Sequence, residues 1–178
     1  MVSGPEREPE ILTYRFEDDG RIPNNPRLPL LVYKRVLPGG GAEGFEDLFR
    51  GNGWGGVWRD GIFGYHHYHS TAHEVLGVAR GSARVTFGGE GGVTLEVEEG
   101  DAVVIPAGVG HCNRGAGRDL LVVGAYPEGQ SWDLCTGEPG ERPRVLENIR
   151  QVSLPGRDPI FGEGGPLLER WRVCEGEG

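Results

Sequence analysis

The sequence predicts an all-β chain folded as a sandwich or jelly-roll barrel, with a few short helices. Short apolar-rich runs recur along it, and turn signals separate them at nearly regular spacing. The 33 glycines and 13 prolines therefore read as punctuation between strands rather than as disorder, because aliphatic and aromatic residues are spread throughout. In the N-terminal half only Ala42 to Asn52 has good helical periodicity, with Phe45, Leu48 and Phe49 on one face.

Taken in order, residues 1–10 read as a disordered, solvated tail, and residues 11–178 as one domain. Ile11–Phe16 alternates as a strand does, Asp18-Asp19-Gly20 and Pro23-Asn24-Asn25-Pro26 are turns, and Leu28–Leu37 is a second strand ended by Pro38 and three glycines. With the helix, and with Trp54, Val57 and Trp58 after it, these form an arm over 11–58 that covers sheet edges or pairs with a second subunit. The barrel core is placed at about 59–127. Its strands are Glu74–Arg80, Ala83–Phe87, Val93–Val97, Ala102–Ile105 and Leu120–Tyr126, an apolar run that also suggests a dimer by strand or sheet packing. A C-terminal extension, 128–178, is less organised: Val145–Val152 is ambiguous between helix and strand, and Leu167–Trp171 is a last apolar piece.

At 178 residues the chain is long enough to bury a core. A formal net charge of −9 speaks against nucleic acid, whose phosphates require a basic surface. No leader segment and no apolar run long enough to span a bilayer is expected, so no membrane partner is either. Cys112, Cys135 and Cys174 are odd in number and far apart, which suggests free thiols in a reducing cytoplasm.

Chemistry concentrates in one stretch. Residues 61–74 hold four of the five histidines and end on a carboxylate, Glu74; the fifth histidine, His111, stands alone after Pro106-Ala107-Gly108. Imidazoles and carboxylates are ligands for a divalent transition metal. Alternate residues of a strand share a face, so His67 and His69 point together with Tyr65, while His66 and Tyr68 turn away. Glu74, at the start of the next strand, adds a carboxylate oxygen, and His111 a further nitrogen. His73 rivals Glu74: strand alternation sends it to the opposite face, but a bulge would reverse this.

The spacing carries a family resemblance. Gly61, His67, His69, Glu74 and Gly81 fall on the fixed positions of the first cupin motif, and Gly100, Pro106, Gly108 and His111 on those of the second as far as its histidine. The asparagine expected four residues later is replaced by Gly115, with Asn113 nearby. Glu17-Asp18-Asp19-Gly20, Ile22-Pro23-Asn24-Asn25-Pro26, Tyr65–Ser70 and Val123–Pro127 further resemble the bacterial YjlB-like cupins over nearly the whole chain. The resemblance implies a cupin jelly roll (a double-stranded β-helix) around a metal, and a homodimer. It implies no particular reaction.

The expected site is thus one divalent ion (Mn, Fe, Ni or Zn) on His67, His69, Glu74 and His111, with His73 as the rival ligand. Tyr65, on the inward face, or a metal-bound hydroxide is the candidate for catalytic proton transfer, and Tyr65 is also a candidate for ligand binding. Arg84 would anchor a carboxylate or sugar acid if it faced the barrel interior, but is read first as a solvated strand arginine. Cys112 is read as an inert buried thiol, and Trp58 and Phe87 as core. Two functions fit. The first is a metal-dependent enzyme of dioxygenase, isomerase or lyase type acting on a small oxygenated acid or sugar. The second is a non-catalytic module that binds a small ligand or a structural metal.

Overall fold

A computed structural model of the chain describes residues 10–175. The tail expected at 1–10 therefore lies outside the described residues, apart from Glu10. Nine strands follow: β1 (Glu10–Phe16), β2 (Asn25–Lys34), β3 (Trp54–Asp60), β4 (Glu74–Arg80), β5 (Ser82–Phe87), β6 (Val93–Glu98), β7 (Ala102–Ile105), β8 (His111–Ala116) and β9 (Leu121–Pro127). They form a six-stranded sheet in the order β1-β2-β7-β4-β9-β3 and a three-stranded sheet in the order β6-β5-β8. Pairing is antiparallel throughout, and most neighbours are not consecutive in sequence, as a jelly roll requires. Three α-helices, α1 (Gly41–Gly51), α2 (Arg144–Gln151) and α3 (Pro166–Glu175), and a 3-10 turn at Pro139–Glu141 complete the described fold. No helix among the described residues is long and apolar enough to cross a membrane.

Both faces of the larger sheet are covered, and strand alternation distributes the side chains. Leu30, Val32, Leu76, Val78, Val103 and Val122 face the smaller sheet and meet Val85, Phe87 and Val97 there. Leu31, Tyr33, Val75, Val104 and Val123 face outward, under Phe45 and Phe49 of α1 and Leu167 and Trp171 of α3. Double coverage explains why β2, β7 and β9 read as continuous apolar runs rather than alternating ones. Gly77, in β4, has no side chain because the Phe45 ring occupies its outer face; an added Cβ would meet that ring at 2.5 Å. In each such strand a slip of one residue would exchange the two faces, so register is strongly held.

Three expectations change. The glycine-rich β3 and the polar β8 are strands, held by pairing with β9 and β5 rather than by their own composition. The ambiguous stretch at 145–152 is helix α2. The apolar run at 120–126, read as a packing face for a second subunit, is buried within the chain: β9 lies between β4 and β3, with Val122 in the inner core and Val123 and Ala125 in the outer one.

Candidate metal centre

The histidine-rich segment is not a regular strand. It runs along the mouth of the barrel and touches it through single bridges, His67 to His111 and Tyr68 to Cys135. His67 and His111 exchange backbone hydrogen bonds of 3.2 and 2.9 Å, which sets their rings 4.0 Å apart. His111 opens β8, opposite Phe87 of β5. The turn leading into it needs Gly108, whose φ is +93° and where a Cβ would lie 2.4 Å from the Asn24 carbonyl oxygen. Glu74 opens β4 on the face that carries Leu76 and Val78, so its carboxylate points between the sheets. One ligand atom each from His67, His69 and His111 lies within 4.8 Å of the others.

Backbone carbonyls fix how these rings present themselves. Nδ1 of His67 donates to the Tyr65 carbonyl at 2.9 Å, that of His69 to Asp133 at 2.5 Å, and that of His111 to Val109 at 3.2 Å. A carbonyl can only accept, so Nδ1 keeps the proton and Nε2 is left as a lone pair in the neutral ring. Metal-binding histidines are held in this way. Oε1 of Glu74 stands 3.4 Å from Nε2 of both His69 and His111. With metal–nitrogen bonds of about 2.1 Å, neighbouring ligand atoms on a tetrahedral ion stand ~3.4 Å apart.

That separation is long for hydrogen bonding, and Oε1 is buried with no hydrogen-bond partner. Burial alone would raise the Glu74 pKa, but the neighbouring His69 and His111 hold it well below the usual carboxylate range. Burial lowers His67 to about 3, with His111 beside it adding to the effect. For His69, burial works downward, and the Glu74 charge outweighs it and raises the pKa. Three imidazole nitrogens and an anionic oxygen, Oε1 of Glu74 without a hydrogen-bond partner, thus converge. Buried charge of this kind calls for a cation, and the donor set suits a divalent transition metal.

A cavity of about 430 Å³ opens over the cluster. Its walls include Trp58, Phe63, Leu76, Tyr126 and Trp132. Trp58 donates from Nε1 to the Tyr126 hydroxyl at 2.8 Å. Burial, reinforced by Glu74, pushes the Tyr126 phenol far above its ordinary pKa, so it keeps its proton at neutral pH.

Of the residues singled out from sequence, His67, His69, Glu74 and His111 are brought together. His73 is not: it is fully buried on the other face of the segment, where its Nδ1 accepts from the Ala107 N–H at 2.9 Å and its ring lies 4.7 Å from Trp171. Tyr65 is 45% exposed and stacks on Phe63 at 5.1 Å, outside the cavity lining. Arg84 does not face the barrel interior. Alternation along β5 puts Ala83, Val85 and Phe87 inside and leaves Arg84 exposed on the outer face, in a small cleft with His66, Glu90 and Arg114. Cys112 and Cys135 are free and buried; the Cys174 side chain lies outside the described ones. Asn113 bonds the Ile62 carbonyl at 3.3 Å and so ties β8 to the cavity wall.

Sequence reasoning misses the loop after β9. Asp133 supplies the carbonyl that orients His69, while its carboxylate accepts from the N–H and hydroxyl of Ser70 at 2.6 and 2.5 Å. Asn148 of α2 donates to the same Ser70 hydroxyl at 3.1 Å. The one sequence signal was an exposed-type Trp-Asp pair in a loop beside a sheet end, a place where functional residues concentrate.

Comparison with known proteins agrees with this architecture. The chain matches the Cupin domain family over residues 59–123, the stretch that holds all the clustered ligands. It is 48% identical over 164 residues to "Uncharacterized protein YjlB" of Bacillus subtilis (strain 168), a match spanning 92% of this chain and 98% of that protein. Among solved structures, acireductone dioxygenase from Bacillus anthracis with cadmium ion in its active center aligns at 16% identity and a TM-score of 0.40, over 70% of this chain and 82% of that one. Procruciferin, the 11S globulin from Brassica napus, aligns at 18% identity and a TM-score of 0.38 over 97% of this chain, which spans only 36% of that larger protein. The barrel, its ligand-bearing motifs and a relative of nearly equal length place the chain in one family: it belongs to the YjlB-like cupins.

Proposed function

We propose that the protein is a metal-dependent enzyme acting on a small oxygen-bearing organic molecule, with one divalent ion held by His67, His69, His111 and Glu74. The observation that carries this reading is the convergence of tautomer-fixed Nε2 atoms and an unpartnered Glu74 oxygen at the floor of an open cavity. When bound, such an ion supplies Lewis-acid or oxygen-activating chemistry of the dioxygenase, isomerase or lyase kind. Around it, Leu76 and Trp58 limit water access to the floor, and Tyr126 holds a proton at its Oη for donation to a bound ligand. Tyr126 replaces the exposed Tyr65 as the proton-bearing candidate. The cavity leaves room for an exchangeable ligand, which favours this reading over a closed structural metal site.

The test is elemental analysis of protein purified without added metal, followed by His67→Ala and His69→Ala. Both variants should lose the ion. Loss of the ion with every detected activity unchanged would refute an enzymatic role. We place the protein in the cytoplasm on the strength of its free Cys112 and Cys135. We further propose a homodimer, formed along the arm strand β1 at the open sheet edge. A monomer by light scattering at high concentration refutes the dimer.

A further inference from the structure

The cavity above the histidines has two aromatic walls, and each keeps a ring half-exposed although it has a stacking partner, Tyr65 for Phe63 and Tyr126 for Trp132. On the His67 side, Phe63 stands edge-on to the imidazole at 5.1 Å. On the His69 side, Trp132 meets that ring at 5.7 Å and stacks on Tyr126 at 6.3 Å with 20° between planes. Phe63 is 47% exposed and Trp132 53%, so each leaves a large apolar ring face in water at the mouth. Large rings kept wet beside a polar site mark a place where a ligand completes the contact.

Charge narrows the ligand further. Among the described residues lining the cavity Arg59 is the one cation, and Glu46 already engages its guanidinium through two bonds of 2.5 and 3.1 Å. Asp60 adds a carboxylate at the same rim. Arg84, which would have received a sugar acid, faces outside. Phosphate or a second carboxylate on the ligand would therefore find no guanidinium or ammonium free to pair with it.

We infer that the site takes a ligand built on a flat aromatic ring that bears no phosphate or second acid group, whose adjacent oxygen donors reach toward the histidine cluster while the ring lies against Phe63 and Trp132. The inference rests on the metal reading above and names its substrate class. A cavity of about 430 Å³ holds one or two fused rings.

Two hydroxamates test it, because they share the same chelating group and differ in the ring. Protein loaded with redox-inert zinc, its content measured by mass spectrometry, is titrated with acetohydroxamate and with benzohydroxamate by calorimetry. Benzohydroxamate should bind at least tenfold more tightly. Phe63→Ala and Trp132→Ala, at half-exposed positions, should keep the zinc and each reduce that preference roughly tenfold, leaving acetohydroxamate unchanged. Equal binding of the two probes, or an undiminished preference in both variants, overturns the aromatic class while leaving the metal reading intact. A chain that takes up no zinc overturns both.

Discussion

Glu74→Gln separates a metal ligand from a structural ion-pair partner. The substitution keeps the shape of the side chain and removes its charge, at a residue 2% exposed and 3.4 Å from two imidazole nitrogens. In metal-free protein the loss is limited. His69 no longer has an anion to raise its pKa, and its ring stays anchored on the Asp133 carbonyl. In metal-loaded protein an anionic donor is gone. Removal of groups one shell further out weakens metal sites by about 10–100-fold, so ~100-fold is a lower estimate here. At a fixed free-metal concentration well above both dissociation constants, a 100-fold weaker site forfeits about 2.7 kcal/mol of metal-induced stabilisation. For a chain of this size that corresponds to about 5–11 °C in Tm. The assay is differential scanning calorimetry of both proteins, with chelator and with added zinc. The metal-induced rise in Tm should shrink by that amount in the variant. An undiminished rise, together with a large drop in the metal-free Tm, would show that Glu74 serves only as partner to the imidazoles.

Metal-free protein should also lose stability as pH falls below about 6.5. The unfolded chain takes up a proton at His73 near that value, whereas the buried ring refuses it until about pH 3. Each such group therefore costs ~1.4 kcal/mol per pH unit across that window. His67, also lowered to about 3, and the depressed Glu74 act in the same direction, while His69, raised, acts in the opposite one. Urea titrations in chelator at several pH values read this slope, and a flat profile from pH 6.5 to 4 would contradict it. Asp133→Ala should weaken metal affinity by about 10–100-fold, because the loop that presents its carbonyl to His69 is tied down through Ser70; competition with a chromophoric chelator measures it, and wild-type affinity would remove the loop from the site. Gly77→Ala forces the Phe45 ring aside from a 2.5 Å contact and should cost about 1–3 kcal/mol by urea unfolding, with metal affinity unchanged.

The convergence of the clustered side chains was legible because it follows from local geometry. His67 and His69, two apart, converge even where the segment is held only by single bridges, and His73 and Glu74, adjacent, part to opposite faces. The solvent-facing orientation of Arg84, the first reading from sequence, follows from the apolar residues on either side of it along β5. What could not be read depends on contacts far apart in sequence. His69 and Asp133 are 64 residues apart, and nothing local to a loop of Ser, Trp, Asp and Leu says where it folds back. The strands β3 and β8 fail as sequence signals for the same reason. Trp54-Gly55-Gly56 and Asn113-Arg114-Gly115 have poor strand propensity, and their partners β9 and β5 impose extension on them.

Trp132 and Asp133 are consecutive residues with separate tasks, one facing the cavity and one orienting the His69 ring. On the readings proposed above, the ion and the aromatic ligand would be thermodynamically linked through a single peptide unit. A ligand settling on the Trp132 ring would pull on the carbonyl that aligns His69, and so would shift the affinity for the ion. Linkage is reciprocal in binding free energy, so the ion shifts the affinity for that ligand by the same factor. Measured separately, the two factors must agree, and that equality gives the coupling its size without any knowledge of the reaction.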